Sequence, residues 1–177
     1  MAVRHRFKVE EVLALSALSP EARLELLEGE VYEMAPISSQ HAGLLDWLLQ
    51  TLASRTLGQV HIRVQSPLYL SPENLPVPDL LLLKPRKDFY TQSHPTPQEV
   101  LLLVEVSFSS YTFDREVKLP LYARHGVPEV WLWGREHLEV YRPPQGGDYL
   151  HRLVVKRGER VAPFLLPEVE ILWDPPL

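Results

Sequence analysis

The chain has 177 residues, 45% hydrophobic and 23% charged, a composition that predicts one globular domain over residues 1–177 and excludes a disordered chain. Its formal net charge of −5 excludes a broad basic surface for duplex DNA. It contains no cysteine, which excludes disulfides and Cys-based zinc sites and favours a cytoplasmic protein; no apolar stretch approaches the roughly 18 residues of a membrane span.

Hydrophobic periodicity and punctuating residues predict the elements of the first half of the chain. In order, these are a helix over residues 8–17, a brief helix beginning near Pro20, a hairpin of residues 24–27 and 31–34, a helix from Ser38 or Ser39 to about Leu57 with Gly58 as its stop, and a strand over residues 59–70. Pro72, Pro76 and Pro78 then stiffen a turn that leads to Asp79.

In the second half of the chain, the sequence pattern predicts two buried strands, a further helix, a hairpin and two weaker strands. In order, its elements are a strand over residues 79–83, a long surface loop over residues 84–98, a strand over residues 100–106, a helix over residues 113–125 capped by Thr112 and bent at Pro120, a hairpin of residues 129–133 and 137–142, and weaker strands over residues 149–155 and 160–166. This alternation predicts an α/β fold with a central mixed β-sheet flanked by α-helices.

Two acids interrupt the most apolar strands. Asp79 precedes four leucines, and Glu105 lies near the end of the apolar run over residues 100–106. A carboxylate on a buried strand costs desolvation free energy unless it gains a cation, a hydrogen-bond donor or a proton. The pair therefore predicts a shared divalent cation, Mg2+ or Mn2+, with the backbone carbonyl of Val106 as a further ligand. The alternative for Glu105 is a strand-end acid that reaches solvent.

Lys118 is the candidate ammonium group beside these acids. Within a helix over residues 113–125, Asp114, Lys118, Tyr122 and His125 share one face. An ammonium group near a bound phosphate would orient the attacking water and stabilise developing charge. The same spacing is also typical of a solvated helix face, and Tyr122 of core packing.

Five segments of the chain resemble one known family. They are residues 26–30 (Leu-Leu-Glu-Gly-Glu), 38–41 (Ser-Ser-Gln-His), 78–79 (Pro-Asp), 104–107 (Val-Glu-Val-Ser) and 118–131 (Lys-Leu-Pro-Leu-Tyr-Ala-Arg-His-Gly-Val-Pro-Glu-Val-Trp). In this order they resemble the restriction-endonuclease-like (Uma-type) family, a large bacterial family within the PD-(D/E)XK nuclease superfamily.

The resemblance implies a restriction-endonuclease-like fold in which Asp79 and Glu105 are the metal-binding acids. The superfamily's usual Glu-x-Lys stands here as Glu105, Val106 and Ser107, so that serine replaces the expected lysine. In families of this kind the following helix is thought to supply the lysine, and Lys118 is the matching residue.

The same resemblance implies further site residues. Glu28 corresponds to the amino-terminal acid that would complete the metal cluster, although a hairpin-turn acid is the alternative. Gln40 and His41 would bind or support the substrate. His41 would contact the substrate phosphate or the metal, although it also suits a surface position. Tyr122 would position Lys118.

Three functions compete at this point. The first is a Mg2+- or Mn2+-dependent endonuclease, with DNA expected as substrate from the resemblance alone. The second is a catalytically inactive nuclease-like fold that acts as a homodimeric or larger binding module, with Trp131 and Trp133 as core or interface anchors. The third is an enzyme that acts on RNA or on another phosphate ester.

Overall fold

A six-stranded mixed sheet forms the centre of the structure, a computed structural model that describes all 177 residues. In chain order, the elements are α1 (Val9–Leu18), β1 (Leu24–Leu27), β2 (Glu30–Glu33), α2 (Ser39–Thr56), β3 (His61–Val64), β4 (Leu80–Leu83), a 3-10 turn (Pro97–Glu99), β5 (Val100–Val106), α3 (Tyr111–Phe113), a π-helical turn (Asp114–Lys118), α4 (Leu119–Arg124), β6 (Val130–Trp133), β7 (Leu138–Gln145), β8 (Asp148–Val155), β9 (Arg160–Val161) and β10 (Ile171–Leu172). None of the helices is long and apolar enough to cross a membrane.

The strand order of the central sheet is β3-β4-β5-β6-β7-β8. Every neighbouring pair is antiparallel except β5 and β6, which are parallel and are connected through α3, the π-helical turn and α4. A parallel pair needs such a crossover, whereas antiparallel neighbours can be joined by short turns. The predicted mixed sheet with flanking helices is confirmed.

Helix α2 covers one face of the sheet. The hydroxyl of Ser38 accepts a hydrogen bond from the backbone N–H of His41 at 3.1 Å, a cap that stabilises a helix by about 1 kcal/mol. Leu44, Leu48 and Leu52 follow at intervals of four residues and are buried against this face. The helix therefore begins and packs as its apolar stripe predicts.

The opposite face of the sheet packs against α4, which directly follows the π-helical turn. Leu119, Tyr122 and Ala123 pack here against Leu103 and Leu132. The bend expected at Pro120 takes the form of the π-helical turn directly before α4, whose second residue is the proline. Turns of this kind occur frequently at functional sites.

The amino-terminal hairpin is held against the segment that leads to β4. β1 pairs with β2 in antiparallel register, and Leu26 also exchanges two backbone hydrogen bonds with Leu75 in the segment that leads to β4. The backbone N–H of Val77 donates to Glu25 Oε1 at 2.8 Å. These contacts fix β1 beside the start of β4.

Four predicted features differ from the structure. The helix expected to begin after a Thr112 cap begins at Tyr111, so Thr112 lies inside α3 and is not its cap. No helix begins near Pro20, because Ser19 ends α1 and β1 starts only five residues later, at Leu24. The strand expected over residues 59–70 is limited to β3, since the chain turns at Gln65 with a φ of 49°. The strand expected over residues 160–166 is limited to β9.

Trp131 and Trp133 lie inside the core. Both are at most 1% exposed, and Trp133 packs edge-on against Trp173 at a centroid distance of 4.7 Å. Trp47 of α2 packs against both Trp133 and Trp173. These buried rings stabilise the contact between α2 and the sheet and are not available as interface anchors.

Candidate active site

Asp79 and Glu105 lie side by side at the ends of neighbouring strands. Leu80 and Val104 are paired in the antiparallel register of β4 and β5, so the residue before Leu80 lies level with the residue after Val104. The backbone N–H of Asp79 donates to Glu105 Oε1 at 3.2 Å, and the N–H of Val106 donates to Asp79 Oδ2 at 2.7 Å. The sheet itself therefore holds both carboxylates in place.

Lys118 reaches this pair from the π-helical turn. Its Nζ lies 2.6 Å from Glu105 Oε2 and 2.6 Å from Glu25 Oε1, and all three side chains are at most 5% exposed. The expected position of the lysine beside Glu105 is thus what the structure shows. The alternative of a solvated helix face does not apply to Lys118.

Tyr122 lies one helical turn beyond Lys118 and binds the same carboxylate. Its hydroxyl donates to Glu105 Oε2 at 2.9 Å, and the side chain is completely buried. The tyrosine therefore holds Glu105 directly while its ring packs in the core. The packing interpretation of Tyr122 is confirmed, whereas its hydrogen bond is made to Glu105 and not to Lys118, the residue it was expected to position.

Ser107, at the position where the resemblance leads one to expect a lysine, turns away from the acid pair. Its hydroxyl donates to Asp114 Oδ2 at 2.6 Å, and the Ser110 hydroxyl donates to the same oxygen at 2.7 Å. Asp114 is the first residue of the π-helical turn that ends at Lys118. Ser107 thus anchors the segment that supplies the lysine.

His41 reaches the pair from α2. Its Nε2 lies 2.9 Å from Asp79 Oδ1, and this hydrogen bond raises the pKa of the imidazole, while burial opposes the rise. Gln40 lines the same cavity. The structure therefore places both residues at the site, with His41 in contact with a carboxylate.

Glu28 does not join the cluster. It lies at the β1–β2 turn with a φ of 52°, and its Oε1 accepts a hydrogen bond from Arg124 at 2.6 Å, while its side chain is half exposed. The turn directs the chain away from the sheet, so Glu28 does not lie at the site and the prediction that it is a metal ligand is wrong. Glu25, three residues earlier, supplies the amino-terminal acid instead.

The sequence contained a signal for Glu25 that was missed. Glu25 stands within the apolar run Leu24–Leu27 and is 4% exposed, the same pattern that singles out Glu105. A buried strand acid in a short hairpin is a stronger candidate than a turn acid, because only the buried acid needs a compensating cation.

Most of these groups line one cavity of about 630 Å3, but Glu28, Ser107 and Tyr122 do not. The buried charged residues of its lining, which we call the floor, are Glu25, Glu105, Asp114 and Lys118. The remaining lining residues include Asp79, Val106, Gln40 and His41, together with the wall residues Arg23, Tyr32, Glu33, Met34, Ala35, Pro36, Ile37, Ser38, Gln65, Val77, Phe108, Ser109, Ser110, Phe113 and Arg135. The cavity therefore connects the acid pair with the surface.

The electrostatics of the floor are dominated by burial and by an excess of acids. Burial raises the pKa of Glu105 well above its usual value although Lys118 opposes the rise, and the charges of Asp114, Asp79 and Glu25 raise it further. Burial lowers the pKa of Lys118, but its acidic neighbours, Glu105 foremost, outweigh burial and hold that pKa well above 10.5. Lys118 therefore stays protonated at neutral pH.

The site suits a hard cation by its donor atoms and charge. No group of three or more His, Cys, Asp and Glu side chains is arranged to hold a metal ion. Carboxylate oxygens are nevertheless the ligands that Mg2+ and Mn2+ prefer. Four acids, namely Glu25, Asp79, Glu105 and Asp114, meet a single ammonium group, and a divalent cation would relieve their mutual repulsion.

Two other buried acids serve the fold. Glu129, within the segment Gly-Val-Pro-Glu-Val-Trp, accepts hydrogen bonds from Trp131 Nε1, from Arg142 and from the backbone N–H of Phe164, at 2.7 to 2.9 Å. Glu139 accepts hydrogen bonds from three side chains around β7. Neither acid lines the cavity.

Comparison with known proteins agrees with this architecture. The sequence model of the family Uma2, described as "Putative restriction endonuclease", matches residues 9–173. The crystal structure of a protein described as "a putative nuclease belonging to DUF820" from Anabaena variabilis superposes with a TM-score of 0.67 at 16% identity, covering 88% of both chains, and confirms the fold. No curated protein matches significantly. Because its family model spans nearly the whole chain, this protein belongs to the Uma2 family.

Proposed function

We propose that this protein is a divalent-metal-dependent nuclease that hydrolyses phosphodiester bonds, with DNA as the expected substrate. Family membership and the nuclease-like fold support a nuclease in general terms. The observation that carries the specific proposal is that Asp79, Glu105 and Lys118 meet at one cavity, with Lys118 Nζ 2.6 Å from Glu105 Oε2.

Asp79 and Glu105 are the residues that would hold Mg2+ or Mn2+, and the backbone carbonyl of Val106 is a further candidate ligand. Such an ion, when bound, polarises a phosphoryl oxygen and lowers the pKa of a coordinated water molecule. The hydrogen bonds from the backbone N–H groups of Asp79 and Val106 keep the two carboxylates in a fixed relative position. This preorganisation favours catalysis because little rearrangement is needed.

Lys118 would stabilise negative charge as it develops on the phosphate and would orient the attacking water. Glu25 and Glu105 hold its Nζ from two sides, which limits the rotamers of an otherwise flexible side chain. Tyr122 fixes Glu105 in turn. The group therefore supplies a protonated ammonium at a defined position beside the acid pair.

Gln40 and His41 would contact the substrate near the entrance to the floor. His41 also orients Asp79, because Nε2 and Asp79 Oδ1 are 2.9 Å apart. With its pKa raised by this carboxylate, the imidazole carries a proton more readily than a free histidine. It is the candidate proton carrier of the site.

Cleavage assays test the proposal. Wild type, Asp79→Asn, Glu105→Gln and Glu28→Gln are incubated with labelled DNA and RNA in Mn2+, in Mg2+ and in EDTA. We expect metal-dependent cleavage that falls by at least about 100-fold in the Asp79 and Glu105 variants. The Glu28 variant is the matched control and should stay near wild type, since its carboxylate pairs with Arg124.

Other outcomes separate the competing functions. Cleavage of RNA alone would assign the same chemistry to a different nucleic acid. A folded wild type that cleaves no nucleic acid with either ion would contradict the proposal and favour an inactive binding module. Cleavage that persists unchanged in both acid variants would contradict the assigned residues.

Self-association stays a prediction. The edge strand β8 exposes Leu150, Leu153 and Val154, by 53%, 44% and 39%. An exposed apolar edge strand is a surface on which a second copy can pair. Multi-angle light scattering checks the expected dimer or larger oligomer, and a monomer across the micromolar range would contradict it.

A further inference from the structure

Part of the cavity wall differs from the floor because it is aromatic and apolar. Tyr32 and Phe113 pack against each other at a centroid distance of 5.2 Å, and Phe108 lines another part of the wall. All three rings are half-buried, and Met34 and Ile37 lie among them. Rings around a phosphodiester site suit contact with the faces or edges of unpaired bases.

Two arginines accompany these rings. Arg23 and Arg135 both line the cavity, and neither side chain forms an ion pair or a hydrogen bond with another protein group. The guanidinium carbon of Arg135 lies 5.5 Å from the ring centroid of Phe108. Arg23 lies just before β1 and Arg135 lies in the β6–β7 turn, so the two cations lie at separate points of the wall. Because neither has an ion-pair or hydrogen-bond partner in the protein, both can contact phosphate groups.

The floor is almost closed to solvent. Glu105 and Lys118 are each 3% exposed, so a scissile phosphate must enter the cavity to reach them. A net charge of −5 leaves little general attraction for a rigid duplex of high charge density. A flexible single strand is thinner and gains affinity from stacking as well as from charge.

We propose, resting on the nuclease function proposed above, that the cavity binds an unpaired nucleic-acid strand, with Arg23 and Arg135 as phosphate contacts and Phe108 as a base-contacting ring. This assigns a substrate class to the site, namely single strands, flaps or unwound ends. It also assigns the two arginines a role in positioning the strand over the floor.

Binding measured apart from cleavage tests this inference. A fluorescein-labelled oligodeoxynucleotide of about 12 bases, within the site size of single-strand binders, is titrated in Ca2+ as a single strand and as a duplex with its complement. Gel electrophoresis confirms that the strand stays intact. We expect the single strand to bind at least about tenfold more tightly than the duplex at the same salt concentration.

Variants identify the contacts. Phe108→Ala should weaken single-strand binding by about fivefold or more, in line with the loss of one stacked base. Arg23→Ala and Arg135→Ala should each reduce the slope of log affinity against log salt by about 0.7, the value for one single-strand phosphate contact. Phe164→Ala and Lys156→Ala remove an exposed ring and an exposed charge outside the cavity, and should leave both quantities unchanged.

The failures are distinguishable. Equal or tighter binding of the duplex, no measurable binding of either probe, or unchanged binding in both the Phe108 and arginine variants would overturn the inference. Metal-dependent cleavage that still tracks Asp79 and Glu105 would leave the proposed function intact in that case. Tight single-strand binding without cleavage in any metal would overturn the proposed function alone.

Discussion

Lys118 and Glu105 form an ion pair of 2.6 Å between Nζ and Oε2 in a part of the structure where each side chain is 4% exposed. Glu25 contacts the same Nζ at the same distance, although it lies 93 residues away in sequence. Burial of charged groups is unfavourable unless each charge is compensated. A catalytic role therefore explains this buried charge cluster beside a cavity better than a contribution to the stability of the fold does.

Removal of the ammonium should destabilise the fold strongly. Lys118→Met leaves Glu105 and Glu25 buried without their cation, and we expect a loss of about 3–5 kcal/mol in the free energy of unfolding. Urea denaturation followed by circular dichroism measures it. The double variant Lys118→Met with Glu105→Gln should recover part of the loss; strictly additive losses would contradict direct coupling of the pair.

Tyr122 offers a separate test of how Glu105 is held. Tyr122→Phe keeps the ring and removes the hydrogen bond to Glu105, so we expect a loss of about 1 kcal/mol in stability together with slower cleavage. The matched control is Tyr149→Phe, which removes a buried hydrogen bond from the hydroxyl to the Val127 carbonyl, outside the cavity. Equal cleavage rates in the two variants would contradict a positioning role for Tyr122.

Glu139 should contribute to the pH dependence of the free energy of unfolding in acid. Burial alone would raise its pKa, but hydrogen bonds from Tyr141, Tyr111 and Arg152 outweigh burial and hold the pKa below its usual 4.5. Its contribution is therefore fully present above pH 4.5 and is lost as the pH falls through the lowered value. Urea titrations across this range should show a shallower fall in stability for Glu139→Gln.

Glu129→Gln is the control for that prediction. Burial raises the pKa of Glu129 above its usual value, although Phe164, Trp131 and Arg142 oppose the rise. A raised pKa has the opposite linkage, because the folded state then binds the proton more tightly than the unfolded chain. The Glu129 variant should therefore show no flattening below pH 4.5, and an equal flattening in both variants would contradict the assignment.

Local sequence patterns predicted the acid pair, because the apolar composition of β4 and β5 indicates that both strands are buried. Unbroken leucine and valine runs mark strands covered on both faces, so an acid in such a run needs a partner. Neighbouring antiparallel strands then bring Asp79 and Glu105 together. The helix α2, its Ser38 cap and the β6–β7 hairpin were predictable for the same local reasons.

The remainder of the site depends on contacts distant in sequence. The choice between Glu25 and Glu28 is decided by the β1–β2 turn, where Glu28 takes a positive φ and leaves the sheet. Helical spacing alone left Lys118 between a solvated face and the site, because the π-helical turn that directs it inward has no clear local signature. Similarly, the end of β3 is set by the left-handed backbone at Gln65 rather than by hydrophobicity.

Binding of Mn2+ measured by electron paramagnetic resonance tests the central claim most directly, namely that Asp79 and Glu105 hold a divalent cation together. We predict that wild type and Glu28→Gln bind Mn2+ with equal affinity, and that Asp79→Asn and Glu105→Gln each bind it at least about tenfold more weakly, a difference of about 1.4 kcal/mol. Unchanged affinity in both site variants, or an equal loss in Glu28→Gln, would contradict the claim.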